Sequence, residues 1–245
     1  MSIAAYTRFE VTRAFRNRRF FIFSVAFPLV LYYVIAGPNR DEVDLGGSGI
    51  DAPLYFMVGL AAFGTMNAVL ASGARIAAER SIGWNRQLRL TPLTARAYFR
   101  TKVLTAYLTA LVTIVLLYAA GASLGVRISA GSWVEMTILL LIGLIPFAGI
   151  GIVIGHLVNI DSIGPVMGGT TAVLGLLGGV WFPIPSDSAL HSIAMVLPSY
   201  WLVQASHVAI GGAAWGATGW IIVALWSVGA GLLAAWAYRR DTQRY

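Results

Sequence analysis

Long apolar runs alternate with short polar segments along the whole chain. Six of these runs are long enough, or nearly so, to cross about 30 Å of hydrocarbon as helices rising about 1.5 Å per residue. The runs are Phe20–Gly37, Pro53–Ala74, Val103–Gly125, Trp133–Val158, Gly164–Phe182 and Gly216–Tyr238. The pattern therefore predicts an all-α, polytopic membrane protein with six transmembrane helices, folded as a single domain over residues 1–245.

The first run also has features of a cleaved signal peptide. Val34-Ile35-Ala36 resembles a cleavage site at the end of an apolar stretch. Against this, the apolar run starts only at Phe20, and Pro38 lies just past the supposed cut. We therefore expect a retained first span.

Residues Leu190–Ile210 offer a seventh span as an alternative. That stretch contains His191, Pro198, Gln204 and His207, and a seventh crossing would move the C-terminal arginines to the other side. Two short helices broken at Pro198 and dipping into the outer leaflet fit better. Non-helical backbone at that depth needs protein or water around it. We expect residues 183–215 to form this outer re-entrant segment.

The N-terminal residues 1–19 are predicted to form a helix at the membrane interface. Ile3, Val11 and Phe15 recur at multiples of four, and arginines follow another face. Such a helix can lie in the headgroup layer with its arginines on anionic membrane lipid. The alternative is a basic tail that only orients the first span. The second face contains Arg8, Thr12, Arg16 and Arg19.

Composition supports a membrane protein, because 58% of the residues are hydrophobic and only 11% are charged, against about 25% charged in soluble domains. The pI near 10.1 does not indicate nucleic-acid binding, since the cations lie in short clusters between apolar runs. Fifteen of the seventeen cations fall on one side of the predicted spans, and only Arg40 and Arg127 on the other. This asymmetry places both termini and residues 75–102 in the cytoplasm.

Several kinds of chemistry are missing from the sequence. The chain contains no cysteine, no G-x-x-x-x-G-K-[ST] loop and no H-E-x-x-H motif. Between their interfacial ends the spans contain no Asp, Glu, Lys or Arg, which disfavours an ion-coupled carrier. We expect no catalytic residue, no metal site and no cofactor in this chain.

The segment Arg75–Lys102 contains the most specific signals. The second span is predicted to continue to Glu79 and Arg80, after which Gly83 permits a break. Residues Trp84–Leu90 fit a short helix, and Thr91-Pro92 is typical of a new helix start. The alternative is an ordinary basic loop. In the short helix Trp84 and Leu88 would share an apolar side, with Arg86 and Arg89 exposed.

The order Glu-Arg-x-x-Gly, short helix, Leu-Thr-Pro-Leu-Thr, then an aromatic residue and Lys before the next span resembles the permease subunits of the ABC type-2 exporter family. The runs Gly178–Pro185 and Leu197–Trp201 are similar to that family's outer-face pattern after span five. The resemblance covers nearly the whole chain. The sequence departs from the family's pattern in one place, the very short loop Asn159–Ile163 between spans four and five.

The resemblance implies a separate ATPase subunit that binds ATP and Mg, because no nucleotide-binding domain is fused here. It implies that the coupling segment, residues 75–102, docks on that ATPase. It also implies that three prolines shape the outer gate and that spans two and five line a pathway across a dimer axis. The implied coupling residues are Glu79, Arg80, Gly83, Trp84, Arg86 and Leu88. The implied gate residues are Pro183, Pro185 and Pro198.

Polar residues inside the spans are few. Thr65 and Asn67 in span two and Thr170 and Thr171 in span five are candidates for lining a pathway. Span five is also rich in glycine, which suits either a moving contact at a dimer interface or dense packing within one subunit. A stripe of threonines along span three is expected to bond back to its own helix. The stripe is Thr101, Thr105, Thr109 and Thr113.

Together these observations predict an exporter permease in a bacterial cell membrane. It would act as a homodimer, or with a sister permease, on a hydrophobic or amphipathic small molecule such as a drug, an antibiotic or a lipid-like compound. Two other classes stay open from the sequence: an ATP-independent secondary carrier or channel, and a membrane scaffold or sensor without transport.

Overall fold

A computed structural model describes residues 3–83, 87, 94–212 and 214–242, and every regular element in these ranges is helical. The N-terminal half contains α1 (Ile3–Arg16), α2 (Arg18–Phe21), a π-helical turn (Ile22–Ala26), α3 (Phe27–Ala36), a 3-10 turn (Leu45–Gly47), α4 (Ala52–Ser81) and α5 (Ala95–Ser123). The C-terminal half contains α6 (Ala130–Gly143), α7 (Ile145–Leu157), α8 (Ile160–Leu177), α9 (Ala189–Met195), α10 (Pro198–Gln204), a 3-10 turn (Ala205–Ile210) and α11 (Ala217–Thr242). The all-α prediction is confirmed.

Five helical stretches are long and apolar enough to cross a membrane: α4, α5, α6 with α7, α8, and α11. The first predicted span is a shorter apolar helix, Ile22–Ala36. Counted from Arg18, that helical run is about 28 Å long at about 1.5 Å per residue, which is close to the hydrocarbon thickness. It packs against α4 and α5 and is therefore part of the bundle.

Helix α4 forms the centre of the molecule. It packs against α3, α5, α7, α8 and α10, and 89% of its most apolar stretch is buried. A helix enclosed on all sides in this way is apolar around its whole circumference. The other spans surround α4, and most of α8 and α11 remains exposed.

Small residues let α4 and α7 approach each other closely. A Cβ atom at Gly73 would lie 2.0 Å from the carbonyl oxygen of Gly151, and one at Gly155 would lie 2.6 Å from the carbonyl oxygen of Gly73. The pair Gly151-x-x-x-Gly155 thus forms a packing surface for α4, as such spacing does in membrane helices. The first glycines of α8 differ, because a Cβ at Gly164 or Gly168 would meet none of the described residues within 4 Å.

Three of the four predicted threonines of α5 bond back to their own helix, whereas the hydroxyl of Thr101 lies 3.1 Å from that of Thr7 on α1. The hydroxyls of Thr105, Thr109 and Thr113 donate to the carbonyl oxygens four residues earlier, at 2.8 to 3.0 Å. Thr113 also donates to the carbonyl oxygen of Ser24 at 3.2 Å. The stripe therefore satisfies its polar groups within the bundle and connects α5 to the π-helical turn.

Helices α9 and α10, with the following 3-10 turn, form the bent pair predicted for the outer segment. The two halves are bent by 97°, so this stretch is not a straight seventh span. Three tryptophan side chains fix the bend by donating to backbone carbonyls. These bonds join Trp201 to Met195 at 2.9 Å, Trp215 to Trp201 at 2.6 Å and Trp226 to Val196 at 2.8 Å.

We predict that Gly73→Ala disrupts the α4–α7 contact. The added methyl group would meet backbone that cannot move aside, so the cost should be at least about 1–3 kcal/mol. Thermal unfolding in detergent should show a clear loss of stability. Gly231→Ala is the matched control, since a Cβ there meets nothing within 4 Å among the residues that the structure describes. Equal stability of the two variants would contradict the close contact.

Candidate coupling site at the basic end of the bundle

Two ionic clusters lie at one end of the bundle, which we call the basic end. This end comprises α1, the last turns of α4, α7 and α11, and the first turns of α5. The clusters are built around two consecutive residues of α4, Glu79 and Arg80. Successive residues of a helix point about 100° apart, so these two side chains reach different neighbours.

The first group, which we call the lysine cluster, contains Glu10, Arg13, Glu79, Tyr98 and Lys102. The ammonium of Lys102 donates to Glu10 Oε2 at 2.8 Å and to Glu79 Oε1 at 2.5 Å. All three of these charged side chains are at most 1% exposed. The lysine thus joins α1, α4 and α5 through charges that are removed from water.

The remaining partners of Glu79 complete the lysine cluster. Arg13 Nη1 donates to Glu79 Oε1 at 2.8 Å, and the Tyr98 hydroxyl donates to Oε2 at 2.6 Å. Arg75, one turn earlier on α4, interacts electrostatically with both carboxylates. Buried charges are tolerated when each is paired and hydrogen-bonded in this way. The cluster therefore fixes the position of Glu79 from three directions.

Tyr6 covers the lysine cluster on the side of α1. Its ring is fully buried and stacks on Tyr98 with 6.3 Å between centroids. Burial and the nearby Glu10 carboxylate raise the pKa of the Tyr6 hydroxyl well above its ordinary value. Tyr6 therefore stays neutral and adds no negative charge to the two carboxylates.

The second group, which we call the aspartate cluster, contains Arg80, His156 and Asp241. Arg80 Nη2 lies 2.8 Å from Asp241 Oδ1, and His156 Nδ1 lies 3.1 Å from Oδ2. Arg80 Nη1 also donates to the carbonyl oxygen of Gly155 at 2.9 Å. These contacts join the ends of α4, α7 and α11. The rings of Phe99, His156 and Tyr238 meet edge to face beside these contacts. Because Phe99 belongs to α5, the ring contacts connect α5 to the same three helix ends.

Comparison with known proteins places this architecture in a family. The sequence model of the family described as ABC-2 type transporter matches residues 1–211. The chain belongs to this family. A relative in Bacillus subtilis (strain 168), named "Putative transport permease YvfS", is 25% identical over 194 residues, which is 78% of each chain. The protein is thus a transport permease, and its family implies an ABC ATPase partner in general.

The permease holds its predicted coupling residues at this end. Glu79 is fully buried, and the side chain of Arg80 is 22% exposed. Helix α4 ends at Ser81, and Gly83 has a φ of +70°, a conformation that favours glycine. The predicted break is therefore present. Trp84, Arg86 and Leu88 lie outside the described residues.

The pathway candidates bond to their own helices. Thr65, fully buried, donates to the carbonyl oxygen of Ala61 at 2.6 Å, and Asn67, half-buried, donates to that of Phe63 at 3.2 Å. Thr171 is buried and donates to the carbonyl oxygen of Met167 at 3.0 Å, beside the half-buried Thr170. Helices α4 and α8 pack against each other.

The three gate prolines lie at the opposite end, around the bent helix pair. Pro198 is buried as the first residue of α10. Pro185 is exposed, and its carbonyl oxygen accepts from the Ser188 backbone at 3.1 Å and hydroxyl at 2.7 Å, just before α9. Pro183 is half-buried beside Gly46. The structure therefore separates the gate prolines from the coupling residues.

Sequence reasoning missed Glu10 and Asp241. It treated Lys102 as a cation that sets orientation and as part of the motif resembling the family, but assigned it no partner. It predicted an interfacial apolar face with Ile3, Val11 and Phe15, and the exposed Phe15 fits such a face, but it did not predict a second face that packs on the bundle. The structure buries Tyr6, Glu10 and Ala14 on that second face, where Glu10 pairs with Lys102 of α5. Two composition signals were available: Lys102 is the sole lysine of the chain, and Glu10 the sole acid before residue 41.

We predict that Lys102→Met destabilises the permease by about 3–5 kcal/mol, because it leaves two buried carboxylates without their shared partner. Thermal unfolding of the purified protein in detergent is the measurement. Arg100→Met, on an exposed position of the same helix, should change stability by no more than about 0.5 kcal/mol. Equal melting of the two variants would contradict the buried cluster.

Proposed function

We propose that this permease is the transmembrane subunit of an ATP-driven exporter, which moves a hydrophobic or amphipathic molecule out of the cell. ATP and Mg would be bound by a separate ATPase subunit. The observation that carries the proposal is the pair of ionic clusters, which tie four other helices to the last turn of α4. Residues 84–93, which include the predicted coupling helix Trp84–Leu90 and which we call the docking segment, follow directly in the chain.

Coupling would run through these clusters in two steps. The ATPase would displace residues 84–93, and the displacement would pass back through Gly83 to Glu79 and Arg80. The sequence placed Glu79 in the docking surface itself, but its side chain is fully buried. We therefore assign Glu79 a position beneath that surface, where its ion pairs with Lys102 and Arg13 carry the motion to α5 and α1.

The cargo is inferred from the spans. They contain no charged residue between their interfacial ends, so a charged cargo would meet no compensating group within the membrane. The few polar groups at the proposed pathway, Thr65, Asn67, Thr170 and Thr171, suit an amphipathic molecule. ATP would favour one of two states, and the cargo would be released because its affinity differs between them.

A second permease is needed to complete the pathway. In this subunit only 17% of the most apolar stretch of α8 is buried, and a Cβ at Gly164, Gly168 or Gly169 would meet no atom of the described part of the chain within 4 Å. This face is smooth enough for a helix of another subunit to approach closely. A second copy or a sister permease would cover it, with α4 and α8 beside the dimer axis.

The proposed location is the bacterial cell membrane, with both termini in the cytoplasm. Arg8 and Arg16 are exposed on α1 together with Phe9 and Phe15. An amphipathic surface of this kind binds anionic lipid on the inner leaflet. The outer side would carry the acidic loop of residues 41–51 and the bent pair α9–α10.

Single cysteines test the orientation, because the chain has none of its own. Gln87 and Glu42 are both exposed, at opposite ends of the bundle. We expect a membrane-impermeant maleimide to label Glu42→Cys in intact cells and to label Gln87→Cys only after the cells are opened. Labelling of Gln87→Cys in intact cells would contradict the proposed topology and the docking segment with it.

Affinity purification from the native membrane tests the function. We expect an ABC ATPase to co-purify, and Glu79→Gln to lower the ATPase rate of the complex by about fivefold or more, a typical coupling effect. Glu42→Gln makes the same chemical change at an exposed site and should leave the rate unchanged. Recovery of no ATPase, with transport by the permease alone under an ion gradient, would instead establish a secondary carrier.

A further inference from the structure

Asp241, at the end of α11, contacts two other helices through its carboxylate. It lies beyond residues 1–211, the part of the chain that matches the family. Its side chain is 11% exposed, and both carboxylate oxygens have a partner. Those partners come from two other helices, since Arg80 belongs to α4 and His156 to α7.

The geometry of Arg80 strengthens this contact. The guanidinium divides its donors, because Nη2 binds Asp241 and Nη1 binds the carbonyl oxygen of Gly155. One arginine therefore holds the end of α11 and the last turn of α7 at once. His156, also on α7, is the second partner of Asp241, with 3.1 Å between His156 Nδ1 and Asp241 Oδ2. The planar guanidinium fixes direction as well as distance in such contacts.

Burial distinguishes this ion pair from an ordinary surface pair. The pair Arg40–Asp41 at the opposite end spans 3.5 Å, with side chains 66% and 91% exposed, and such exposed pairs contribute little to stability. Arg80 and Asp241 are 2.8 Å apart, with side chains 22% and 11% exposed. The interaction is therefore less screened, and separating the two groups would leave both charges poorly solvated.

We infer that Asp241 is a positioning residue for coupling: through Arg80 and His156 it holds the ends of α4, α7 and α11 together as one body. When the ATPase displaces the segment after Gly83, these three ends move together instead of sliding past one another. This inference rests on the proposed function and assigns a role to a helix end that the family match does not reach. Relative motion would then involve α8, which lies outside both clusters.

Distances between spin labels test the rigid body directly. Ser81 on α4 and Ala235 on α11 are exposed, and the absence of native cysteine permits a clean Ser81→Cys, Ala235→Cys pair. The labelled permease, assembled with its ATPase, would be measured by pulsed EPR with and without ATP and vanadate. We expect an unchanged distance distribution. A new distance maximum in the trapped complex would overturn the inference.

Substitution of Asp241 gives a second, independent test. Asp241→Asn should lower the ATPase rate of the complex by about fivefold or more and broaden the spin-label distribution, whereas Asp241→Glu should restore both in large part. Asp41→Asn is the matched control and should change neither. A purely stabilising role would lower the melting temperature without broadening the distances in the folded complex, and that outcome would also overturn the inference.

The outcomes separate this inference from the proposed function. A complex with full ATPase coupling but a nucleotide-dependent Ser81–Ala235 distance, or a fully active Asp241→Asn variant, overturns only the role of Asp241. A permease that binds no ATPase overturns the proposed function, and the role of Asp241 with it. The EPR measurement on the otherwise unchanged chain stands even if Asp241→Asn fails to fold.

Discussion

The buried ammonium of Lys102, held between the carboxylates of Glu10 and Glu79, fixes the arrangement of the basic end. A charge removed from water loses several kcal/mol of solvation, and only close partners with good geometry offset that loss. Here the partners come from α1 and α4, while the lysine belongs to α5. Three elements that are distant in sequence must therefore meet at one point, and the faces they present to each other follow from it.

Helix geometry then extends this constraint across the bundle. Glu79 and Arg80 are neighbours in sequence, but their side chains diverge, so one reaches the lysine cluster and the other the aspartate cluster. The spans between the two ends of the bundle are uncharged, and the burial of apolar surface is not directional. The ionic contacts at the basic end supply the directional fixing that the apolar spans lack. Close glycine contacts, such as Gly73 on Gly151, add a second fixed point deeper in the bundle.

Much of the fold follows from sequence pattern, because length, hydropathy and breakers are local properties. The long apolar runs, the break at Gly83, the bent pair at Pro198 and the back-bonded threonines of α5 were all predicted on that basis. The lysine cluster was not, since Glu10 and Lys102 are 92 positions apart and periodicity does not say which face of a helix meets a neighbour. The same limit explains why the buried face of α1, with Tyr6, Glu10 and Ala14, was not predicted.

A buried ionic cluster is a poor choice if stability alone is required. Apolar residues of similar volume often hold helices together as well or better, and they would avoid the desolvation of Lys102 and its two carboxylates. Such contacts, however, would permit several packings of α1 and α5 on α4, because their energy depends mainly on buried area and little on direction. Hydrogen-bonded charges do not permit such alternative packings, since a small displacement leaves a charge unpaired. A junction that transmits a displacement must be stiff, and hydrogen-bonded charges provide that stiffness. Glu79 is well placed for this role, because it lies four residues before Gly83, which directly precedes the docking segment.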